Sequence, residues 1–375
     1  MMKRSQALLL IMSMVCATTS HAQVFSDKVV GKKNVDYADS LKKSKYPYIL
    51  PIWGEKATAR GFNLPYSAGV SLQYFGQTSD LVIDNLLVGF NGGTMYNLDN
   101  IVRFDKAEAT SGSVSLRPDV WVLPFLNVYA IFGQGKGSTE VGYSIWLPDS
   151  SGGETKVTSL STKVDFDATT VGFGLTPTIG VGGGWLALDM NFTWTDVPQL
   201  DQPAQAFVFD PRAGKRFRLR NPDENLNIWV GGFRVALNTG TSGSIPLSDA
   251  LPIDEWQNSV DQGLARVAQL NAEIEAWWNS LTPPQQAQPG NIARYQAAKA
   301  ALARAGAFLE SAGQAVDHAA SSTVEYSLSK RQKDPWNFTV GGQYELNKIW
   351  MVRAEVGFLG SRSHVIAGVQ YRFGL

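Results

Sequence analysis

From Trp185 to Thr195 the chain alternates without a break. Leu186, Leu188, Met190, Phe192 and Trp194 fall on one face, and Ala187, Asp189, Asn191 and Thr193 on the other. Successive side chains of a strand point to opposite sides, so this segment has one oily and one wet surface. The same dyad recurs from Trp336 to Leu346, from Trp350 to Phe358, and in shorter form from Tyr66 to Tyr74, Val114 to Val122 and Leu126 to Phe132. Beyond residue 22 no run of about 18 apolar residues exists to make a membrane-spanning helix. Such strands can be housed in two ways. A soluble β-sandwich hides its oily faces in a core, whereas in lipid only a closed barrel satisfies every backbone hydrogen bond. Aromatics near the ends of the oily faces (Tyr66 and Tyr74, Trp336 and Tyr344, Trp350 and Phe358) favour the barrel, whose lipid-facing band is bounded by aromatic girdles. The wet faces mix both signs of charge with Gly, Ser, Thr and Asn, which suits a narrow lumen filled by its own side chains.

The first 22 residues are of another kind. Met1-Met2-Lys3-Arg4 is basic, Ala7 to Val15 is apolar, and Ser20-His21-Ala22 precedes Gln23 with small residues where a signal peptidase reads. The apolar run is half of what a bilayer requires. Cys16 follows Val15, which is too bulky for a lipidation signal, so 1–22 is expected to be a signal peptide cleaved after Ala22. Cys16 is the only cysteine, and the mature chain can then form no disulfide. A formal charge of zero gives no electrostatic reason to bind nucleic acid.

The C-terminal segment carries a resemblance. Val365, Ala367, Val369, Tyr371 and Phe373 alternate with His364, Gly368, Gln370 and Arg372, and Leu375 follows two places after Phe373. This amphipathic, aromatic-rich strand resembles the closing strand of Gram-negative outer-membrane barrels, and across 64–375 the pattern is similar to that of uncharacterised members of the group. The resemblance implies export to the outer membrane, contact with its lipid, and recognition by the barrel-assembly machinery through Tyr371, Phe373 and Leu375. The usual last residue of that strand is Phe; here it is Leu.

An all-β fold follows: an antiparallel transmembrane β-barrel of about ten strands, with eight to twelve possible. Pro124-Phe125, Gly182-Gly183-Gly184 and Asn347-Lys348 read as short turns, and 77–110, 147–160 and 196–224 as long loops on the opposite side. Strands near 164–179, 226–238 and 322–330 complete the ten. Asp80 to Phe90 alternates poorly and could be a further strand. Residues 250–320 break the pattern. Within 254–318, Val260, Leu264, Val267, Leu270, Ile274 and Trp277 recur at helical spacing, Thr282-Pro283-Pro284 ends that helix, and Asn291 opens a second with Ile292, Tyr295, Ala298, Leu302, Leu309 and Val316. This helical hairpin insert follows six expected strands, an even number. Parity therefore puts it on the periplasmic side, as a structural insert or as an arm for a periplasmic or cell-wall partner. Residues 23–63 form an N-terminal periplasmic segment that lies below the barrel, enters it as a plug, or serves as a tether.

Chemistry has little to stand on. After the signal only His318 and His364 remain among histidines, with no cysteine for a thiolate metal site. His364 lies near Ser361 and Ser363, yet no Gly-x-Ser-x-Gly elbow accompanies it. Gly182-Gly183-Gly184 lacks the lysine and helix of a phosphate loop, and Asp165-Phe166-Asp167 lacks a third carboxylate at calcium-loop spacing. No catalytic, cofactor or metal site is expected. The wet faces instead supply a lumen charge network of Arg117, Asp119, Asp189, Arg234, Glu325, Arg353, Glu355 and Arg372, whose opposite charges would pair. About ten strands leave little open space, so a filled barrel with a structural or binding role is expected first. A narrow channel for small solutes comes second and an outer-membrane enzyme third.

Overall fold

The computed structural model describes residues 32–375 apart from 100, 199, 220, 222, 238, 239, 251 and 252, so the expected signal peptide lies outside the described residues. Its strands are β1 (Ala68–Phe90), β2 (Tyr96–Asn97), β3 (Val102–Leu123), β4 (Leu126–Pro148), β5 (Glu154–Val181), β6 (Gly184–Asp196), β7 (Ala204–Arg218), β8 (Asn225–Leu237), β9 (Gly240–Pro246), β10 (Thr323–Gln332), β11 (Trp336–Glu345), β12 (Trp350–Phe358) and β13 (Arg362–Phe373). The helices are α1 (Lys32–Lys42), α2 (Gly54–Thr58), α3 (Leu247–Ala250), α4 (Ile253–Ser280), α5 (Pro283–Gln286) and α6 (Pro289–Asp317). Ten of the strands, β1, β3 to β8 and β11 to β13, pair antiparallel in a ring. The ring closes where β1 meets β13, from Ala68 opposite Phe373 to Ser79 opposite Arg362. It is the transmembrane barrel that the alternation demands.

The outward face is what lipid requires. Leu72, Val114, Val171, Ile228, Val230, Val352, Val356 and Val369 all stand exposed. Trp350, Tyr371 and Phe373 ring this band at the end holding the chain termini, and Trp194, Trp336 and Phe358 ring the other. From Trp350 to Phe358 the strand runs about 27 Å at roughly 3.4 Å per residue, the height of an apolar band with its girdles. At the termini end the connections are short: Gly182 and Gly183 take left-handed φ of 59° and 84° to reverse the chain in two residues.

Beyond the other girdle β3, β4 and β5 continue as a tall wall; β5 pairs β6 only up to Thr169 opposite Asp196, and its remainder pairs β4 alone. There β1 parts from β13 and pairs β10, which pairs β9, while β2 adds to β1's other edge, making a small side sheet. α4 and α6 pack between wall and side sheet. Trp256, Val260, Leu270 and Ile274 of α4 and Leu302, Ala305, Phe308, Leu309 and Ala312 of α6 share one core with Phe90, Leu98, Ile101, Ile145, Leu147 and Ile245. The small residues of α6 bring the helices together, and the aromatics fill against the strands. This hairpin packs against the wall and the side sheet at the end opposite the termini.

Several expectations are corrected. Seven barrel strands precede the hairpin, not six, because 204–218 is strand β7 rather than loop, so parity no longer places the hairpin on the periplasmic side. Residues 323–332 form β10 of the side sheet, not a barrel strand. Most of 77–110 and 147–160 is strand, and Asp80 to Phe90 is the far half of β1. Pro283 and Pro284 end α4 as expected, but they also open the single turn α5, where Thr282 and Gln285 cap each other. The second long helix begins at Pro289, and Asn291 donates back to the Gln285 carbonyl. The described part of the N-terminal segment, from residue 32, lies beneath the barrel. The Ile49 N–H donates to the Leu375 carbonyl (2.8 Å) and the Ile52 N–H to that of Val122 (2.9 Å), while Arg218 covers the Tyr37 ring at 4.3 Å. Burial pushes the Tyr46 phenol, which donates to the Leu50 carbonyl, up to about 12.

Candidate functional site

The inward side chains fill the lumen in layers. Nearest the termini, Asp119 of β3 accepts from Arg372 (2.9 Å), Gln370 (2.7 Å) and Asn127 (2.7 Å). Across from it Glu345 of β11 accepts from Arg216, Asn225 (3.1 Å) and Asn227 (2.9 Å). Between them opens a vestibule of about 380 Å3, lined by Trp121, Trp185, Trp229 and Arg117 and roofed by Asp189, Arg212 and Arg353; Asn63, Leu64 and Pro65 stand at its mouth.

The middle layer is a buried ion network. Asp189 of β6 takes the Tyr129 hydroxyl and the Arg212 guanidinium (3.0 Å), and the Arg212 Nε faces Asp210 at 3.3 Å. Glu355 of β12 accepts from Arg353 (3.0 Å) and the Trp229 indole (2.7 Å), with Arg212 at 3.9 Å. Arg117 reaches Asn191 at 3.0 Å and covers Tyr129 at 5.2 Å. Three carboxylates, Asp189, Asp210 and Glu355, thus face the two guanidinium groups of Arg212 and Arg353 out of water, the pairing that makes buried charge tolerable. Glycine makes room for it. A Cβ on Gly341 would lie 2.5 Å from the Trp229 ring, and one on Gly174 within 2.5 Å of Tyr129.

Above the ions lies an aromatic layer. Phe75 of β1 stacks on Phe233 of β8 at 6.2 Å, although these strands are not neighbours, and Phe233 meets His364 of β13 at 4.2 Å. Asn337 binds the His364 Nδ1 (3.1 Å) and accepts from Arg362 (3.0 Å).

Six of the eight charges expected in the lumen are there: Arg117, Asp119, Asp189, Arg353, Glu355 and Arg372. Two are elsewhere. Arg234 shares the parity of exposed Ile228 and Val230, so it is on the outer face, opposite Trp336 and Phe209. Glu325 belongs to β10, where it binds the Gly92 N–H at 3.0 Å. The hub of the network, Asp210 and Arg212, was hidden in a segment read as loop. Its signal was the outward pair Phe207 and Phe209 alternating with Asp210, Arg212 and Arg216. His364 does face the lumen but touches Asn337, with Glu355 at 3.9 Å, while the Ser361 hydroxyl accepts from the Asp334 N–H. His318 binds the Gln314 carbonyl at the end of α6. Among the described residues no three His, Cys, Asp or Glu are placed to hold a metal. Tyr371 and Phe373 stand on the outer surface of the closing strand, and Leu375, just past its end, is exposed.

No protein-family model and no curated protein matches the chain. Solved structures similar to it are barrels. An outer membrane channel from Pseudomonas putida F1 has 8% identity and a TM-score of 0.27, covering 82% of this chain and 96% of its own. The transport unit of the autotransporter AIDA-I from Escherichia coli has 8% identity and a TM-score of 0.29, with coverages of 92% and 100%. A FadL homologue of Pseudomonas aeruginosa has 8% and 0.26, with 83% and 93%. Likeness at this level carries nothing about what this barrel does.

Proposed function

We propose that this chain is an outer-membrane β-barrel with a structural or binding role, its lumen closed to solute flow. One observation carries the reading: side chains of non-neighbouring strands meet across the lumen, Phe75 with Phe233 above and Arg212 with Glu355 below. A ten-strand barrel is narrow enough for its own side chains to span it. The vestibule at the termini end supports binding, since it is lined by aromatic and charged groups and open at one side. Catalysis has no support in the surroundings of His364, and we read the chain as a non-enzyme. By the convention that barrels keep short turns and termini in the periplasm, the vestibule faces the periplasm and the hairpin the exterior.

A planar bilayer tests the closed lumen. The wild-type protein should insert without discrete conductance steps, and the double variant Phe75→Ala, Phe233→Ala should show them. Regular steps from the wild type would make the barrel a narrow channel.

A further inference from the structure

Between α1 and α2 the chain is tied to the rim of the barrel at the termini end. The Ile49 and Leu50 N–H groups both donate to the Leu375 carbonyl (2.8 and 3.3 Å), and the Ile52 N–H donates to the Val122 carbonyl (2.9 Å). This strap thus joins the end of β13 to the end of β3, the two strands that flank β1. It is firmly held. The Tyr46 ring fills the space a Cβ on Gly54 would take, the Tyr48 ring does the same at Gly374, and Tyr48 meets Tyr66 edge-on at 5.7 Å.

A strap so well fixed nevertheless leaves its largest apolar side chains uncovered. Ile49 is 89% exposed, Ile52 50% and Trp53 54%. Apolar side chains scattered singly over a surface are ordinary, but three within five residues make a patch that marks an interaction. Trp53 also takes a left-handed φ of 71°, a strained conformation for a bulky residue, and here the strain accompanies an exposed indole rather than a packed one. The patch is continuous with the lipid-facing band. Phe373 belongs to the girdle and Leu375, two places on, is exposed as well. Two residues of strand rise about 7 Å at most along the barrel, and the layer between hydrocarbon and water is roughly 5–7 Å deep on each side of a bilayer. Bonded to Leu375, the strap lies at headgroup depth, where indole rings and the apolar faces of interfacial segments settle.

The charge of the same piece complements such a surface. Lys42, Lys43, Lys45, Lys56 and Arg60 are exposed cations, and Glu55 is the one carboxylate from 42 to 60. Lys42 pairs with Asp39 at 2.9 Å, and the other four are in no ion pair among the described residues. α1 and α2 carry these cations as one unit, since Gly61, just past α2, lies against Ala38 and Lys42 of α1. Cations within a Debye length of a membrane are drawn to anionic lipid.

We propose that residues 47–53 form an interfacial anchor, seated among the phospholipid headgroups of the leaflet at the termini end, with anionic headgroups preferred. The inference rests on the barrel's spanning a membrane; neither the closed lumen nor the vestibule enters it.

The test uses the mature protein with a nitroxide on a single cysteine, reconstituted in vesicles of phosphatidylcholine with and without phosphatidylglycerol. Ile49→Cys replaces an exposed side chain and should keep the gel shift of a closed barrel. Leu72→Cys, in the apolar band, and Gln288→Cys, exposed on the helical hairpin, mark the lipid and water limits. The Ile49 label should lie between them, reached by oxygen but several-fold less accessible to a neutral nickel chelate than the Gln288 label. Phosphatidylglycerol should deepen that shielding, and the triple variant Lys43→Gln, Lys45→Gln, Lys56→Gln should lose the gain. Nickel accessibility equal to that at Gln288 would overturn the anchor. So would shielding from nickel and oxygen alike, which would mean that protein rather than lipid covers the strap. Equal shielding in both lipids would overturn the preference for anionic headgroups.

Discussion

Glu355 is the most heavily committed side chain of the lumen. It is 1% exposed, accepts from Arg353 and the Trp229 indole, and stands 3.9 Å from Arg212. Glu355→Ala leaves two guanidinium groups short of a carboxylate and an indole N–H without an acceptor. The loss of one partner from a buried ion pair costs about 3–5 kcal/mol, so the variant should lose its unheated gel mobility at a clearly lower temperature than wild type; an unchanged transition would mean the network is wet. Gly341→Val strikes the same group from behind, because its Cβ would overlap the Trp229 ring. It should lower the transition likewise and raise Trp229 fluorescence quenching by iodide. The sequence announces Glu355 and Arg353 readily, since strand 350–358 alternates without fault. It conceals Arg212. Pro211 beside it cannot donate to a ladder and argues against a central strand; in the fold, the β7–β8 pairing passes from Phe209 opposite Arg234 to Arg212 opposite Gly231, and the proline falls in that gap.

At the scale of elements, the number of barrel strands was legible and their membership was not. Alternation marks a strand with one wet and one oily face wherever it occurs, so β10 reads like a barrel strand although its apolar side meets helices rather than lipid. β7, with charges every second residue and a proline, reads like a loop. The two errors cancel in the count and survive in the parity. The hairpin was legible as two helices because its apolar residues recur at helical spacing; its partner surface was not. Val102, Ile145, Leu147 and Phe90 are far apart in sequence and join its core only through strand register. Replacing 253–317 by a short glycine-serine linker should therefore leave the β1–β13 seam intact, as that ladder shares no residue with the helices. The shortened protein should still shift on unheated gels. It should also bind a hydrophobic dye strongly at the uncovered wall and aggregate outside detergent; loss of the gel shift would show that the hairpin is needed for closure.

For the whole molecule the question is which end faces the cell's surroundings. Four connections at the termini end are short, among them 124–125, 182–183 and 346–349, whereas the opposite end carries the tall wall, the side sheet and two helices of 28 and 29 residues. Barrels of this class keep short turns inside and long excursions outside, and both termini then lie in the periplasm with the N-terminal segment beneath the ring. On this convention we propose that the helical insert lies outside, the reverse of what strand counting from sequence gives. Cysteine labelling settles it, because Cys16 is the only native cysteine and precedes the expected cleavage point. Gln288, exposed at the start of α6, and Glu55, exposed on α2 beneath the barrel, are suitable single sites. A membrane-impermeant thiol reagent on intact cells should label Gln288→Cys strongly and leave Glu55→Cys unlabelled until the outer membrane is opened. The opposite pattern would invert the barrel, put the vestibule outside, and return the hairpin to the periplasm.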